Sequence, residues 1–158
     1  MPNAEDEEVR KLAANIFAVW VQEPPLPQIS LSFATEHDSK AYQRKILIYR
    51  IASVLMMLAS IGSRGGLFLS LQECFELLVF GAEPTPNAME RFNEVKTAMK
   101  DLSLLINDGK ELSWAQAWLA DLGHEVYNPV DLFALSQAWL GQLASLSEYF
   151  RTLDSESN

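Results

Sequence analysis

The 158 residues, 49% of them hydrophobic, suffice for one domain with a sizeable buried core and no covalent staple. A single cysteine, Cys74, excludes an intramolecular disulfide and a thiolate metal cluster within one chain. With 21 Asp and Glu against 12 Lys and Arg the formal charge is -9, which opposes binding to phosphate backbones, so no direct nucleic-acid binding is expected.

In chain order, residues 4–23 place Val9, Leu12, Ala13, Ile16, Phe17 and Trp20 at three- and four-residue steps, the apolar stripe of a helix. Asp6 to Arg10 and Glu7 to Lys11 are acid-before-base pairs one turn apart, each adding ~0.3 kcal/mol, and the acids at 5–8 suit a helix N-terminus. An acidic start where a secretory leader would be basic predicts a cytoplasmic chain without membrane association. Pro24, Pro25 and Pro27 then stop the helix and impose an extended backbone. Pro24, Pro25, Leu26 and Pro27 read first as a rigid spacer, and second as a motif of the kind that aromatic-lined grooves bind. Ile29, Leu31 and Phe33 alternate with serines, so an extended strap over 24–35 is expected to lie across the fold.

The stretch over 46–61 (ILIYRIASVLMMLASI) is strongly polar only at Arg50, Ser53 and Ser60. A helix apolar around its circumference must be enclosed, and the run is shorter than the ~20 apolar residues a membrane span needs, with Arg44 and Lys45 just before it. We therefore read 40–61 as the central helix of a bundle, with Thr35, Asp38 and Ser39 as possible N-caps and Gly62 as its end. The glycine-rich loop 62–66 lacks the phosphate-binding pattern and reads as a connector. Ser70 with Glu73 resembles a capping box opening a short helix whose apolar side holds Leu71, Cys74, Phe75 and Leu78. Cys74 is thus read as a buried structural thiol, with no His or Lys near it in sequence to activate it.

Past Gly81, Pro84 and Pro86, a helix capped by Thr85 or Asn87 carries Met89, Phe92, Val95, Met99, Leu102 and Ile106 on one side, ending at Asn107, Asp108 and Gly109. Ser113 with Gln116 predicts a short helix to Leu122 bearing Trp114 and Trp118. Asn128, Pro129 and Asp131 open the last helix, whose stripe is Leu132, Leu135, Trp139, Leu143, Leu146, Phe150 and Leu153, with a frayed tail over 154–158. QAWLADL at 116–122 recurs as QAWLGQL at 137–143, identical at five of seven positions; one pair does not establish a repeat architecture.

No catalytic constellation emerges. The two histidines, His37 and His124, lack the paired Glu-x-x-His elements of di-iron bundles, and neither GxSxG, HExxH nor CxxC occurs, so no metal, cofactor or enzymatic activity is expected. Glu73 with Glu76, and Glu90 with Glu94, read as solvated carboxylate pairs. The fold class expected is all-α, a single-domain bundle of five to six helices around the helix at 40–61. The function expected is a non-enzymatic helical interaction protein whose partner is another protein or a second copy of itself. Its candidate contact residues are Pro24, Pro25, Leu26, Pro27, Trp114 and Trp118; core packing is the competing reading for both tryptophans. Two further readings are an acidic nucleic-acid-mimicking inhibitor of a basic protein and an apolar small-ligand binder, or enzyme, with a pocket inside the bundle.

Overall fold

The computed structural model describes residues 4–22, 36–61, 66–122 and 129–157, and all its regular elements are helices. They are α1 (Ala4–Phe17) with an appended π turn (Ala18–Gln22), α2 (Glu36–Ile61), α3 (Gly66–Phe80), α4 (Pro86–Asp108), α5 (Glu111–Ala120) and α6 (Pro129–Ser157). The chain is an all-α bundle, as its periodicity predicts. No described helix is long and apolar enough to cross a membrane. The strap expected over 24–35, with Pro24, Pro25, Leu26 and Pro27, lies outside the described residues, as does His124.

Helix α2 is the axis. Ile46, Ile48, Tyr49, Ile51, Ala52, Val54, Leu55 and Leu58 are all buried, and these positions run around the helix instead of along one stripe. Cover comes from α3, α4, α6 and the π turn, while α1 lies on α3 and α5 on α6. The stripe expected on α6 matches: Leu132, Leu135, Trp139, Leu143, Leu146 and Phe150 are buried and Leu153 packs against them. Thr85 caps α4 by accepting a hydrogen bond from the Ala88 amide at 3.1 Å, with Pro86 at the first position. Gly109 ends that helix at φ +64, where a side chain would be strained.

Several local expectations are corrected. The π turn sits where a continuous α1 was read; its wider winding brings Val21, five residues after Ile16, back to the core, and both are buried. Asp38 and Ser39 lie inside α2 and do not cap it. Helix α3 begins a turn before Ser70, because Phe68 joins Leu71, Phe75 and Val79 on the buried face; Leu78, expected inside, is exposed and Cys74 is half-buried. The buried face of α4 is Val95, Ala98, Leu102 and Leu105; Met89, Phe92 and Ile106 face out, since α4 meets α2 along a line rotated from the stripe expected. Helix α5 starts at Glu111, with Lys110 at the cap position making no side-chain cap bond, so Ser113 lies within it. The tail expected to fray from 154 continues α6 to Ser157.

Of the polar exceptions in α2, Arg50 has its partner at the π turn and Ser53 joins the same network through Gln142. A π turn leaves carbonyls outside the regular ladder, and buried carbonyls need donors. The Val21 carbonyl accepts from the Arg50 guanidinium at 3.4 Å, and the Trp20 carbonyl accepts from Gln142 Nε2 of α6 at 3.0 Å. Gln142 also reaches Ser53 Oγ at 3.4 Å, and that hydroxyl donates to the Arg50 carbonyl at 2.7 Å. Burial holds the Arg50 guanidinium below its usual pKa, opposed by its interaction with Tyr42. This polar knot joins α1, α2 and α6 inside an otherwise apolar core. Gln142→Ala is expected to lower the unfolding free energy by about 1–3 kcal/mol in urea titrations, whereas Gln137→Ala, on the exposed side of α6, should change it by less than about 0.5 kcal/mol.

Candidate functional site

The side chains richest in chemistry gather where α2 meets α4, α5 and α6, with Tyr49 at the hub. Its ring lies 6.2 Å from Trp114, 5.5 Å from Trp118 and 5.6 Å from Trp139, centroid to centroid. Its hydroxyl donates to Asp101 Oδ2 of α4 at 2.6 Å, while the Trp114 indole N–H donates to the Asp101 backbone carbonyl at 3.0 Å. Burial, then the Asp101 hydrogen bond, push the Tyr49 phenol far above its ordinary pKa of 10. Burial likewise pushes Tyr42 up to about 12, the Arg50 charge opposing. Lys45 donates to the Trp118 carbonyl at 2.6 Å and lies 4.5 Å above that ring, satisfying a carbonyl in the last turn of α5. Burial lowers its pKa, against the attraction of Asp121. Tyr49, Trp114 and Lys45 thus use their polar groups to hold α4 and α5 to α2, while the Asp121 carboxylate stays largely in solvent.

This places the two candidate tryptophans. Trp118 is 1% exposed, wedged among Tyr42, Tyr49 and Trp139, and offers no surface to a partner. Trp114 is half-buried and held by its bond to Asp101. The QAWL segments of α5 and α6 meet through Trp118 and Trp139, 6.2 Å apart, so the similarity reflects one packing solution used twice across a single interface. The buried indole N–H groups of both have no acceptor among the described residues.

Two grooves flank α4. One, between α4 and α2, encloses about 530 Å³ and is lined by Arg44, Lys45, Tyr49, Glu90, Glu94 and Asp121. Its charges are largely paired: Arg44 meets Glu94 at 2.7 Å and Lys45 meets Asp121 at 3.5 Å. The other, between the C-terminal half of α3 and the start of α4, encloses about 520 Å³. Small residues, Gly81, Ala82, Pro84 and Ala88, line it where the chain turns from α3 into α4, Gly81 taking the positive φ of +81 that the turn requires. Its walls are large: Leu77 and Phe80 on α3, Met89 and Phe92 on α4, with Phe80 and Phe92 edge to face at 5.5 Å. Leu77, Met89 and Phe92 are 55%, 51% and 45% exposed, and Leu69 extends the apolar surface along α3. The charged lining is entirely acidic: Glu73, Glu76 and Glu83.

Neither wall was assigned to a site from sequence, because apolar residues at helical spacing read as core. The signal that could have found it is the excess on α3, where 10 of 15 residues are apolar, more than one buried face can use. Leu77 also borders a smaller cleft lined by Arg10, Cys74 and Leu78, so the fold brings to one cleft a cation and a thiol that are far apart in sequence. Among the described residues no three His, Cys, Asp or Glu side chains are grouped to hold a metal ion. No family model, curated protein or solved structure matches the chain.

The Tyr49 knot makes a pH prediction. A phenol whose folded pKa is raised keeps its proton while the unfolded chain releases it near pH 10, so its stabilisation is whole below pH 10 and lost as the pH rises further. Of the four tyrosines, Tyr42 and Tyr49 should therefore stay protonated by ultraviolet absorbance at about pH 11 until the chain unfolds. Tyr49→Phe should cost about 1–3 kcal/mol at neutral pH and flatten the loss of stability above pH 10.

Proposed function

We propose that this chain is a non-enzymatic helical interaction protein, an adaptor, assembly factor or inhibitor, that engages its partner through the α3–α4 groove. The observation that carries the reading is the set of large apolar side chains left in solvent around a formed depression: Leu77, Met89 and Phe92. Isolated exposed apolar residues are ordinary, but a contiguous apolar surface with a polar rim is how contact sites are built. Covering the exposed half of each such side chain is worth on the order of 1 kcal/mol, so the three serve as anchors of a contact to which the polar rim must also contribute. The competing surface, between α2 and α4, has its cations engaged within the chain and leaves less to offer.

The test is site-specific photocrosslinking in native lysate, with p-benzoylphenylalanine at position 77 in the groove or at position 112, an exposed leucine outside it. One protein should crosslink in good yield from position 77 and not from 112. Leu77→Asp with Phe92→Asp should abolish capture of that protein while leaving the thermal midpoint within a few degrees, since both side chains are already exposed. Equal crosslinking from both positions, or none from either, would overturn the reading.

A further inference from the structure

We infer that the occupant of the α3–α4 groove is a basic amphipathic helix of a different protein, an inference that rests on the groove being the contact surface. Three features of the groove carry it. Large side chains line it from both helices, Leu77 and Phe80 from α3 and Met89 and Phe92 from α4, with Phe80 and Phe92 meeting edge to face at 5.5 Å. The small residues Gly81, Ala82 and Pro84 of the α3–α4 turn, with Ala88, leave about 520 Å³ beside those side chains, room for anchoring side chains from a third helix in the manner of helix-in-groove recognition. The flexible Met89 can adapt to the shape of what enters.

The charge of the rim selects the partner. Glu73, Glu76 and Glu83 line the groove, and the charge of the whole chain is -9. An apolar helix face flanked by acids would bring like charges together as the apolar contact forms, whereas Lys or Arg flanking the apolar face would complete ion pairs at the rim. The same argument disfavours a two-fold dimer through this surface. In such an isologous contact the three carboxylates of one copy would confront the same three of the other.

The direct test uses fluorescein-labelled leucine–lysine helical peptide of about 14 residues, roughly four turns, and its leucine–glutamate counterpart, with binding read by anisotropy at low and high salt. The lysine peptide should bind the full chain at least ~tenfold tighter than the glutamate peptide. Leu77→Asp with Phe92→Asp should weaken the lysine peptide ~tenfold or more. Glu73→Gln, Glu76→Gln and Glu83→Gln combined should weaken it several-fold and flatten its salt dependence. Glu7→Gln, Glu8→Gln and Glu148→Gln, an equal charge change outside the groove, should do neither.

Equal binding of the two peptides, or equal loss from the two glutamine triples, would overturn the inference, the latter revealing attraction to net charge alone. Sedimentation of the free chain completes the set. A dimer that Leu77→Asp with Phe92→Asp dissociates would replace the basic helix with a second copy. A protein crosslinked at position 77 without preference for the lysine peptide would leave the contact surface standing and remove only the basic-helix assignment. Absence of both would remove the surface itself.

Discussion

Enclosure of α2 is the constraint on which the rest of the structure depends. A helix with Ile46, Ile48, Ile51, Val54, Leu55 and Leu58 spread around it leaves apolar surface in every direction, so one packing partner cannot satisfy it. The long stripe of α6, the rotated face of α4, the face of α3 and the π turn after α1 each cover a sector. Enclosure also forces a solution for the polar groups it traps. Arg50 and Ser53 would be costly in such a position without partners, and the π-turn carbonyls would be equally costly without donors. Each answers the other, with Gln142 completing the set from α6.

Tyr49 performs a second version of the same task one residue before Arg50. Its ring fills the space among Trp114, Trp118 and Trp139, and its hydroxyl reaches the Asp101 carboxylate at the edge of the core. Lys45, one turn earlier, uses its stem and ammonium in the same fashion, lying over Trp118 while donating to the end of α5. The aromatic residues that look most like binding anchors are thereby consumed in holding the short helix α5 to the axis.

The two grooves beside α4 differ in what they leave undone. Between α2 and α4, acids and bases meet within the chain. Between α3 and α4, Leu77, Met89 and Phe92 stay about half exposed even though Phe92 meets Phe80 and has Lys96 5.8 Å from its ring, and the carboxylates have no cation among the lining residues. Interior demand explains the first and not the second, since Leu77 and Met89 could be polar without loss to the core. On the proposed reading, the acidic rim would attract a basic partner at long range and set its orientation before apolar contact is made.

Sequence alone determined the helical class, the identity of the axis, the stripe of α6 and the stop at Gly109, and it narrowed the cap of α4 to Thr85 or Asn87, because these follow from local periodicity and from the conformational preferences of single residues. It did not determine which of two neighbouring faces α4 would bury: Val95 and Leu102 belong to both stripes, and only the angle at which α4 meets α2 chose Ala98 and Leu105 over Met89 and Phe92. The π turn was equally hidden, since it exists to return Val21 to a core that is assembled from distant segments. Trp118 read as a candidate contact and Leu78 as core, and tertiary packing placed Trp118 inside and Leu78 outside. Periodicity reports how much apolar surface a helix carries; whether that surface is covered depends on how many neighbours geometry allows around it.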